Sequence, residues 1–235
     1  MIRYKFFKPI LVACTASVMT LLAPAVNAQS TELKQVFAQL GATPVVRAQF
    51  EQQKKLASLN KTYVSKGTVL FSKNQGVLWQ IQSPVKADLV VTPRKLVQKT
   101  QRTSSQIEVD KTPYGSVATM FLQLMSGNEA ALAKNFNVVS ANYSPTQWNV
   151  SLTPKSSLFK KLFVQVDAQG QRYVDRITIL EQANNRTIIR FSQQTAQPQT
   201  LTAAENALFQ LAKTPTLARS PRFMPLNDVN YKYMI

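Results

Sequence analysis

The side chains that enzymes use for acid–base, nucleophilic and metal chemistry are in short supply in this chain. Its 235 residues include no histidine and one cysteine. A Ser–His–Asp triad, a Cys–His dyad and a histidine-ligated zinc site all need histidine, and a cysteine metal cluster needs several cysteines. The sequence also lacks the Gly-x-Ser-x-Gly nucleophile turn and the glycine-rich phosphate loop. We therefore predict a protein that is not an enzyme and that holds no metal or other cofactor.

The 11 carboxylates offer one close pair, Glu108 and Asp110, which the alternation of a strand would place on one face. Such a pair could work as general acid and base. A solvated pair in a polar loop is the simpler interpretation of this polar segment. Asp175 and Glu181 lie on predicted strands with basic neighbours, and we expect them to form exposed ion pairs.

The charge balance is strongly basic, with 28 Lys and Arg residues and a formal net charge of +17. The basic residues are scattered over the polar faces of predicted strands, and no nucleic-acid-binding motif is present. We expect either an ordinary solvated surface or a surface that attracts anionic membrane headgroups or an acidic partner. Nucleic acid is not an expected partner.

Residues 1–28 have the three-part pattern of a secretory signal peptide. Basic residues precede an apolar run, and small residues end at Ala28, the predicted cleavage site. This pattern predicts export from the cytoplasm. An alternative follows from the Leu-Val-Ala that precedes Cys14, which matches a loose lipoprotein pattern: lipidation of Cys14 would anchor the protein to a membrane.

Two segments have the periodicity of amphipathic helices. In the first, Ser30 is the predicted N-cap, Gly41 follows the predicted end, and apolar residues recur between them. The second begins at Pro113 and carries a broad apolar stripe. Ser126 would then cap a short third helix, with Glu129 completing a capping box.

Period-two alternation predicts strands in most of the remaining chain. Between 46 and 98 it indicates an antiparallel meander that includes a hairpin over 66–82, whereas 99–112 is polar and without a clear pattern. Further strands are predicted at 136–142, 147–153, 160–167, 172–181 and 186–193. The order of helix, strands, two helices and strands has no βαβ alternation and predicts the α+β class. So many strands imply a curved antiparallel sheet that closes into a barrel or wraps around the helices.

One side of the predicted meander is strongly apolar, and the second helix adds adaptable methionines at Met120 and Met125. These residues could form an ordinary core between sheet and helices. They could equally line a cavity for acyl chains under a movable helical lid. Periodicity alone does not separate the two alternatives.

Three motifs of the meander, in their order and spacing, resemble the LolA family of periplasmic outer-membrane lipoprotein carriers. They are Phe50-Glu51-Gln52, Gly67 to Phe71, and Trp79 to Pro84. The strand from Trp148 to Pro154 and the hairpin from Ile177 to Phe191 are also similar to family segments, so that the likeness covers about residues 30–209.

The resemblance implies an α+β fold in the form of a curved, incompletely closed antiparallel β-barrel, with helices covering its concave hydrophobic face. It also implies a hydrophobic cavity for the acyl chains of a lipoprotein. In the family an inner-membrane ABC transporter supplies this cargo and an outer-membrane acceptor receives it. The resemblance thus implies a periplasmic, monomeric carrier domain, which would occupy 29–210 after the signal peptide at 1–28. Residues 211–235 carry three prolines and four basic residues against one acid, and this composition, which is unlike that of the family, predicts a basic, poorly ordered tail.

Carried over to this sequence, the resemblance implies three groups of site residues. The cavity wall would consist of Phe50, Val69, Phe71, Trp79, Ile81, Leu89 and Val91. The inner face of the lid would consist of Val117, Met120, Phe121 and Leu124. Lys73 stands where the family has an arginine that holds the lid shut by hydrogen bonds to lid carbonyls, and a lysine keeps the charge without the planar fork.

Three alternatives remain open. The domain could carry a different envelope lipid, since Lys73 departs from the family pattern. It could instead sense a lipid and regulate a membrane partner, a role that this fold also serves. A hydrolase of envelope lipids is the third alternative, and the lack of histidine disfavours it.

Overall fold

The computed structural model describes residues 26–101, 103–109 and 113–213, and within these it describes no side chains for 26–30 and 113–117. Cys14, Asp110, most of the predicted signal peptide and most of the predicted tail therefore lie outside the described residues. No helix within the described ranges is both long enough and apolar enough to span a bilayer.

The described residues form five α-helices and eleven β-strands. The helices are α1 Val26–Gly41, α2 Pro113–Met125, α3 Glu129–Asn135, α4 Ser157–Lys160 and α5 Ala203–Gln210. The first six strands are β1 Val45–Leu56, β2 Lys61–Ser72, β3 Gly76–Ser83, β4 Ala87–Val91, β5 Lys95–Thr100 and β6 Ser104–Glu108. The last five strands are β7 Phe136–Tyr143, β8 Trp148–Pro154, β9 Phe163–Gly170, β10 Val174–Glu181 and β11 Arg186–Thr195.

All eleven strands belong to one antiparallel sheet with the order β6-β5-β4-β3-β2-β1-β11-β10-β9-β8-β7. Consecutive strands are neighbours from β1 to β6 and from β7 to β11, because short connections join them, and the long-range pairing is that of β1 with β11. Strands β6 and β7 lie at the two ends of this order, so the described sheet does not close on itself. The predicted class, a curved and incompletely closed antiparallel barrel with helices, is confirmed.

The concave face of the sheet is the side on which alternate residues pack against α1, α2 and α3. Phe50, Val69, Phe71 and Trp79 lie on this face, in one apolar cluster that also includes α2 residues. The predicted meander and its hairpin therefore have the register that the alternation indicates.

The convex face carries a second apolar cluster, which the sequence pattern did not predict. Its strand members are Val45, Leu70, Leu78, Val90 and Val97, the residues that alternate with those of the concave face. Phe209 of α5 is 1% exposed and packs on these strands. The expectation that helices cover only the concave face was therefore incomplete, because β2 to β5 are apolar on both sides and need a cover on each.

Helix α5 is tied to the sheet by Arg47, which faces outward on β1. Its Nε and Nη2 each donate to a carboxylate oxygen of Glu205 at 2.7 Å, and its other donors reach the carbonyls of Pro198 and Thr200. Hydrogen bonding to Arg47 lowers the pKa of Glu205. Glu205 also completes a capping box with Thr202 at the start of α5.

Two predicted helix starts were wrong by a few residues. Helix α1 begins at Val26, so that Ser30 lies inside it. The N-cap of α3 is Asn128, whose side-chain oxygen accepts from the backbone N–H of Ala131 at 3.0 Å. The Ser126 hydroxyl instead donates to a carbonyl at the end of α2, because α2 continues to Met125.

Elements without a strong periodic signal were missed or misplaced. The strand predicted at 160–167 begins only at Phe163, as β9. Ser156 caps a helical turn before it, α4, which was not predicted. Strand β6 and α5 were not predicted. Ala212 is buried in the convex-face cluster, so the packed part of the chain extends beyond residue 211, where the tail was predicted to begin.

Candidate functional site

A cavity of about 50 Å³ lies between the concave face and α2. Strands β3, β4 and β5 form one side of it, β1, β10 and β11 form the other, and Ala118 and Phe121 of α2 lie above. The lining residues are Gln52, Val77, Trp79, Leu89, Val91, Leu96, Ala118, Phe121, Ile179, Thr187 and Ile189. This cavity is the candidate site, because it is an apolar space beneath a helix.

Four aromatic rings meet beside the cavity, with Trp79 at their centre. The Trp79 ring lies 4.4 Å from that of Phe50 and 6.1 Å from that of Phe191, measured between centroids. Phe121 reaches the same indole edge-on from α2 at 5.7 Å. Tilted and edge-to-face pairs are the favoured aromatic geometries, so Phe121 gives the helix an apolar contact on the floor of the site.

Each of the seven wall residues named from the resemblance is buried in the concave-face cluster. Trp79, Leu89 and Val91 line the cavity itself. The other four, Phe50, Val69, Phe71 and Ile81, pack around it. The structure thus brings the predicted wall together, and its role in binding a lipid stays a prediction.

The predicted lid corresponds to α2. Met120 and Leu124 are fully buried against the concave face, and Phe121 lines the cavity. Val117 belongs to α2, and its side chain is not among those that the structure describes. Helix α2 rests on β4 and β5, which places it over the cavity as a lid would be placed.

Sequence reasoning missed part of the lining. Val77 and Leu96 share the strand face of the named wall residues, and the same alternation could have identified them. Ile179, Thr187 and Ile189 come from the far end of the chain. They reach the cavity because β11 pairs with β1, a contact for which local periodicity provides no signal.

Gln52 of β1 and Thr187 of β11 give the cavity one polar edge. The hydroxyl of Thr187 donates to one carboxylate oxygen of Glu181, and the other oxygen lies 3.1 Å from the Nζ of Lys54. The side chains of Lys54 and Glu181 are only 7% and 16% exposed. The prediction of an exposed ion pair for Glu181 was therefore wrong, because Lys54 alternates onto the concave face of β1.

Lys73 forms its hydrogen bond with α1, whereas the resemblance implied hydrogen bonds to carbonyls of the lid. Its Nζ donates to the carbonyl of Gly41 at 2.8 Å, at the C-terminus of α1, where a positive charge is favourable. Gly127 follows the lid and lies so close to the backbone of α1 that a Cβ atom there would collide with it. In the described structure Lys73 thus holds α1, and α1 in turn packs against the turn that ends the lid.

Across the described ranges no group of three or more His, Cys, Asp or Glu side chains could hold a metal ion. What the geometry does offer is an apolar interior, a helical cover and one polar edge. The class of protein defined by these features is an open antiparallel barrel whose helix-covered interior contains an apolar cavity.

The family follows from the sequence match. Residues 42–211 match the family of the outer membrane lipoprotein carrier protein LolA. The match spans most of the chain and both halves of the sheet. This protein therefore belongs to the LolA family and has its carrier-type domain.

Several solved structures are similar to this chain at low identity. A LolA superfamily protein from Nitrosomonas europaea is 11% identical, with 77% of this chain and 96% of that chain covered and a TM-score of 0.46. The lipoprotein LppX from Mycobacterium tuberculosis is 12% identical, with 75% and 99% covered and a TM-score of 0.40. A putative outer membrane lipoprotein-sorting protein domain from Vibrio parahaemolyticus is 10% identical, with 78% and 99% covered and a TM-score of 0.41. No curated protein sequence matches the chain.

Proposed function

We propose that this protein is a non-enzymatic periplasmic carrier that binds the acyl chains of lipoproteins, or of a related envelope lipid, and moves them from the inner to the outer membrane. An inner-membrane exporter of the ABC type would supply the cargo, and an outer-membrane acceptor would receive it. Membership of the LolA family over 42–211 supports this proposal. The observation that carries it is the apolar cavity between the concave face and α2.

Transfer free energies give the physical reason for such a carrier. Each methylene group that leaves an apolar environment for water costs about 0.8 kcal/mol. An acyl chain with more than a dozen methylenes therefore does not cross an aqueous compartment alone. A protein that covers the chain with an apolar interior removes this cost, and no metal or nucleotide is needed for that step.

The size of the cavity indicates that the lid must move. The space beneath α2 measures about 50 Å³, whereas pockets for drug-sized ligands measure about 300–1,000 Å³. An acyl chain fits only if α2 shifts away from the sheet. The contacts of Met120, Phe121 and Leu124 with the sheet are apolar and non-directional, so an acyl chain can replace them.

The first test is native mass spectrometry of the protein purified from periplasm without detergent, followed by lipid extraction. A co-purifying acylated peptide would support lipoprotein cargo, and a co-purifying phospholipid or glycolipid would support a carrier for another lipid. A protein that arrives empty and takes up no fluorescent fatty acid would contradict the carrier proposal. The sensing alternative would then gain support.

The second test uses the two tryptophans of the chain as position reporters. Trp79 lines the cavity, whereas Trp148 is buried in β8 away from the lining. We expect a brominated fatty acid to quench the fluorescence of a Trp148→Phe variant, which keeps Trp79. The Trp79→Phe variant is the matched control and should be quenched much less. Equal quenching of both variants would contradict the assigned site.

A charge at the centre of the aromatic cluster should abolish binding. We expect Trp79→Asp to lower the affinity for acyl chains at least about tenfold, because a carboxylate in an apolar cavity is strongly disfavoured. Circular dichroism would show whether the sheet is retained, and the Trp79→Phe variant should bind nearly as the wild type does. A folded Trp79→Asp variant with unchanged affinity would disprove the wall assignment.

A further inference from the structure

The concave side of β1 changes from apolar to cationic along its length. Phe50, Gln52 and Lys54 alternate onto this side, and Lys54 is only 5% exposed. Its Nζ lies 3.1 Å from Glu181, which is the last residue of β10. A lysine ammonium and a carboxylate thus lie inside the barrel, near the end where β1 turns into β2.

This ion pair is connected to the cavity wall. The Thr187 hydroxyl donates to the same Glu181 carboxylate, and both Thr187 and Gln52 line the cavity. One hydrogen bond therefore separates the apolar space from the pair. The aromatic cluster around Trp79 and Phe50 lies further along β1 and β3, away from this end.

The burial of an ion pair is weak evidence that the pair is there for stability. Removing two charges from water costs free energy that their attraction only partly recovers, and apolar residues of similar size are often as stable in such a place. A second pair, on β1 and β2, shows the ordinary case. Lys66 and Glu51 lie on the convex face 2.8 Å apart, with side chains 59% and 34% exposed, where water screens both charges.

We propose that Lys54, with Glu181, Thr187 and Gln52, forms the polar end of the acyl site and selects acyl chains that carry an anionic oxygen group at their polar end. Such a group is the carboxylate of a fatty acid or the phosphodiester of a phospholipid. This inference rests on the proposed acyl-chain carrier function and favours its second cargo, a related envelope lipid, because the ester- or amide-linked acyl chains of a lipoprotein carry no anionic oxygen group.

The chemistry of lysine allows this exchange. An ammonium group has three donors, so Lys54 can keep its ion pair with Glu181 while it exchanges another of its contacts for a hydrogen bond to the ligand. Hydrogen bonds between ionised partners are roughly twice as strong as neutral ones, and the buried position removes competing water. The acyl tail would then extend past Gln52 and Thr187 toward Trp79, beneath α2.

The experiment compares decanoate with its uncharged methyl ester, so that the chain is constant and only the head group changes. Affinity is measured by displacement of a brominated methyl ester that quenches Trp79 in the Trp148→Phe variant. At neutral pH the carboxylate is ionised, and we expect decanoate to bind about tenfold more tightly than its ester. A lysophosphatidylglycerol of equal chain length distinguishes a phosphodiester preference from a carboxylate preference.

Variants of the pair test whether Lys54 causes this preference. Lys54→Met alone leaves Glu181 buried without its cation, so the double variant Lys54→Met with Glu181→Met serves as the folded, apolar replacement. We expect it to bind both ligands within about twofold of each other, and Glu181→Gln to increase the preference for decanoate, because a competing anion is removed. Lys66→Met, from the convex-face pair, is the matched control and should behave as the wild type does.

These measurements distinguish a failure of the head-group inference from a failure of the carrier proposal. Equal binding of decanoate and its ester by the wild type would overturn the head-group inference and leave the carrier intact. A preference that persists in the double variant would also overturn it. If neither ligand binds the wild type, both proposals fail.

Discussion

The two faces of this sheet are built from alternate residues of the same strands, yet they are covered in different ways. On the convex face α5 is fixed by a capping box, by the bidentate Arg47–Glu205 pair and by the fully buried Phe209. On the concave face α2 rests on apolar contacts and leaves a cavity of about 50 Å³ beneath it. The difference indicates that the convex cluster stabilises the fold, while the concave cluster can exchange its contacts with a ligand.

The largest expected effect is a loss of stability on substitution of a convex-face residue. Phe209→Ala should lower the free energy of unfolding by about 3–5 kcal/mol, because it removes a fully buried ring from a closed cluster. The affinity for acyl chains should stay within about twofold under conditions where the variant is folded, because the cavity lies on the opposite face. Urea unfolding and fatty-acid titration provide the two values. A loss of affinity as large as the loss of stability would show that the two faces do not act independently.

The Arg47–Glu205 pair should have the next largest effect. Hydrogen bonds to charged groups contribute about 1.5–3 kcal/mol, so we expect Arg47→Met to destabilise the docking of α5 by about 2 kcal/mol. Amide hydrogen exchange in α5 would detect this change. Lys66→Met removes an exposed convex-face pair and should cost less than about 1 kcal/mol. Equal costs for the two variants would contradict the role assigned to Arg47.

The same pair should also give a pH dependence. Hydrogen bonding to Arg47 lowers the pKa of Glu205 from its ordinary value of 4.5, so the folded state binds this proton less tightly than the unfolded state does. The stabilisation is therefore fully present above pH 4.5 and is lost as the pH falls through the lowered pKa. The difference in unfolding free energy between wild type and Arg47→Met should decrease over that range. A difference that is independent of pH would count against this assignment.

Two alanines allow the space on the two faces to be compared directly. Ala118 lines the cavity and Ala212 lies in the convex cluster. We expect Ala118→Leu to fill the cavity, to leave stability nearly unchanged and to reduce acyl affinity. Ala212→Leu should cost about 1–3 kcal/mol through overpacking, with acyl affinity unchanged. If Ala118→Leu lowered stability and left acyl affinity unchanged, while Ala212→Leu lowered acyl affinity and left stability unchanged, the concave face would be the filled core.

The smallest expected effect concerns Lys73. Its bond to Gly41 at the end of α1 is exposed, and a cation at a helix C-terminus contributes about 0.3–1 kcal/mol. We expect Lys73→Met to lower stability by this amount and to speed acyl release slightly in stopped-flow dissociation, because α1 supports the turn after the lid. Lys73→Arg should restore the wild-type release rate. An unchanged rate of acyl release from the Lys73→Met variant would show that Lys73 stabilises α1 and has no effect on the lid.

The sequence predicted the features that depend on residues close together in the chain and missed those that depend on residues far apart. The alternation from Phe50 to Val91 predicted the meander and its buried face correctly, because side chains alternate along any extended strand. The stripe that includes Phe121 predicted α2 for a similar local reason. Helix α5 was missed, since it packs on apolar residues of several strands that form one cluster only when these strands pair in the sheet.

The sequence by itself determined the periodic elements and the apolar concave face. It also lacks histidine, the residue that Ser–His–Asp and Cys–His catalytic sites require. These properties follow from composition and from local backbone geometry. The tertiary structure alone decided that β11 pairs with β1, and this pairing brings Thr187 and Glu181 to Gln52 and Lys54. Contacts of this kind join segments more than one hundred residues apart, and their free energy depends on the packing of the whole sheet. The polar end of the cavity is therefore a product of the fold.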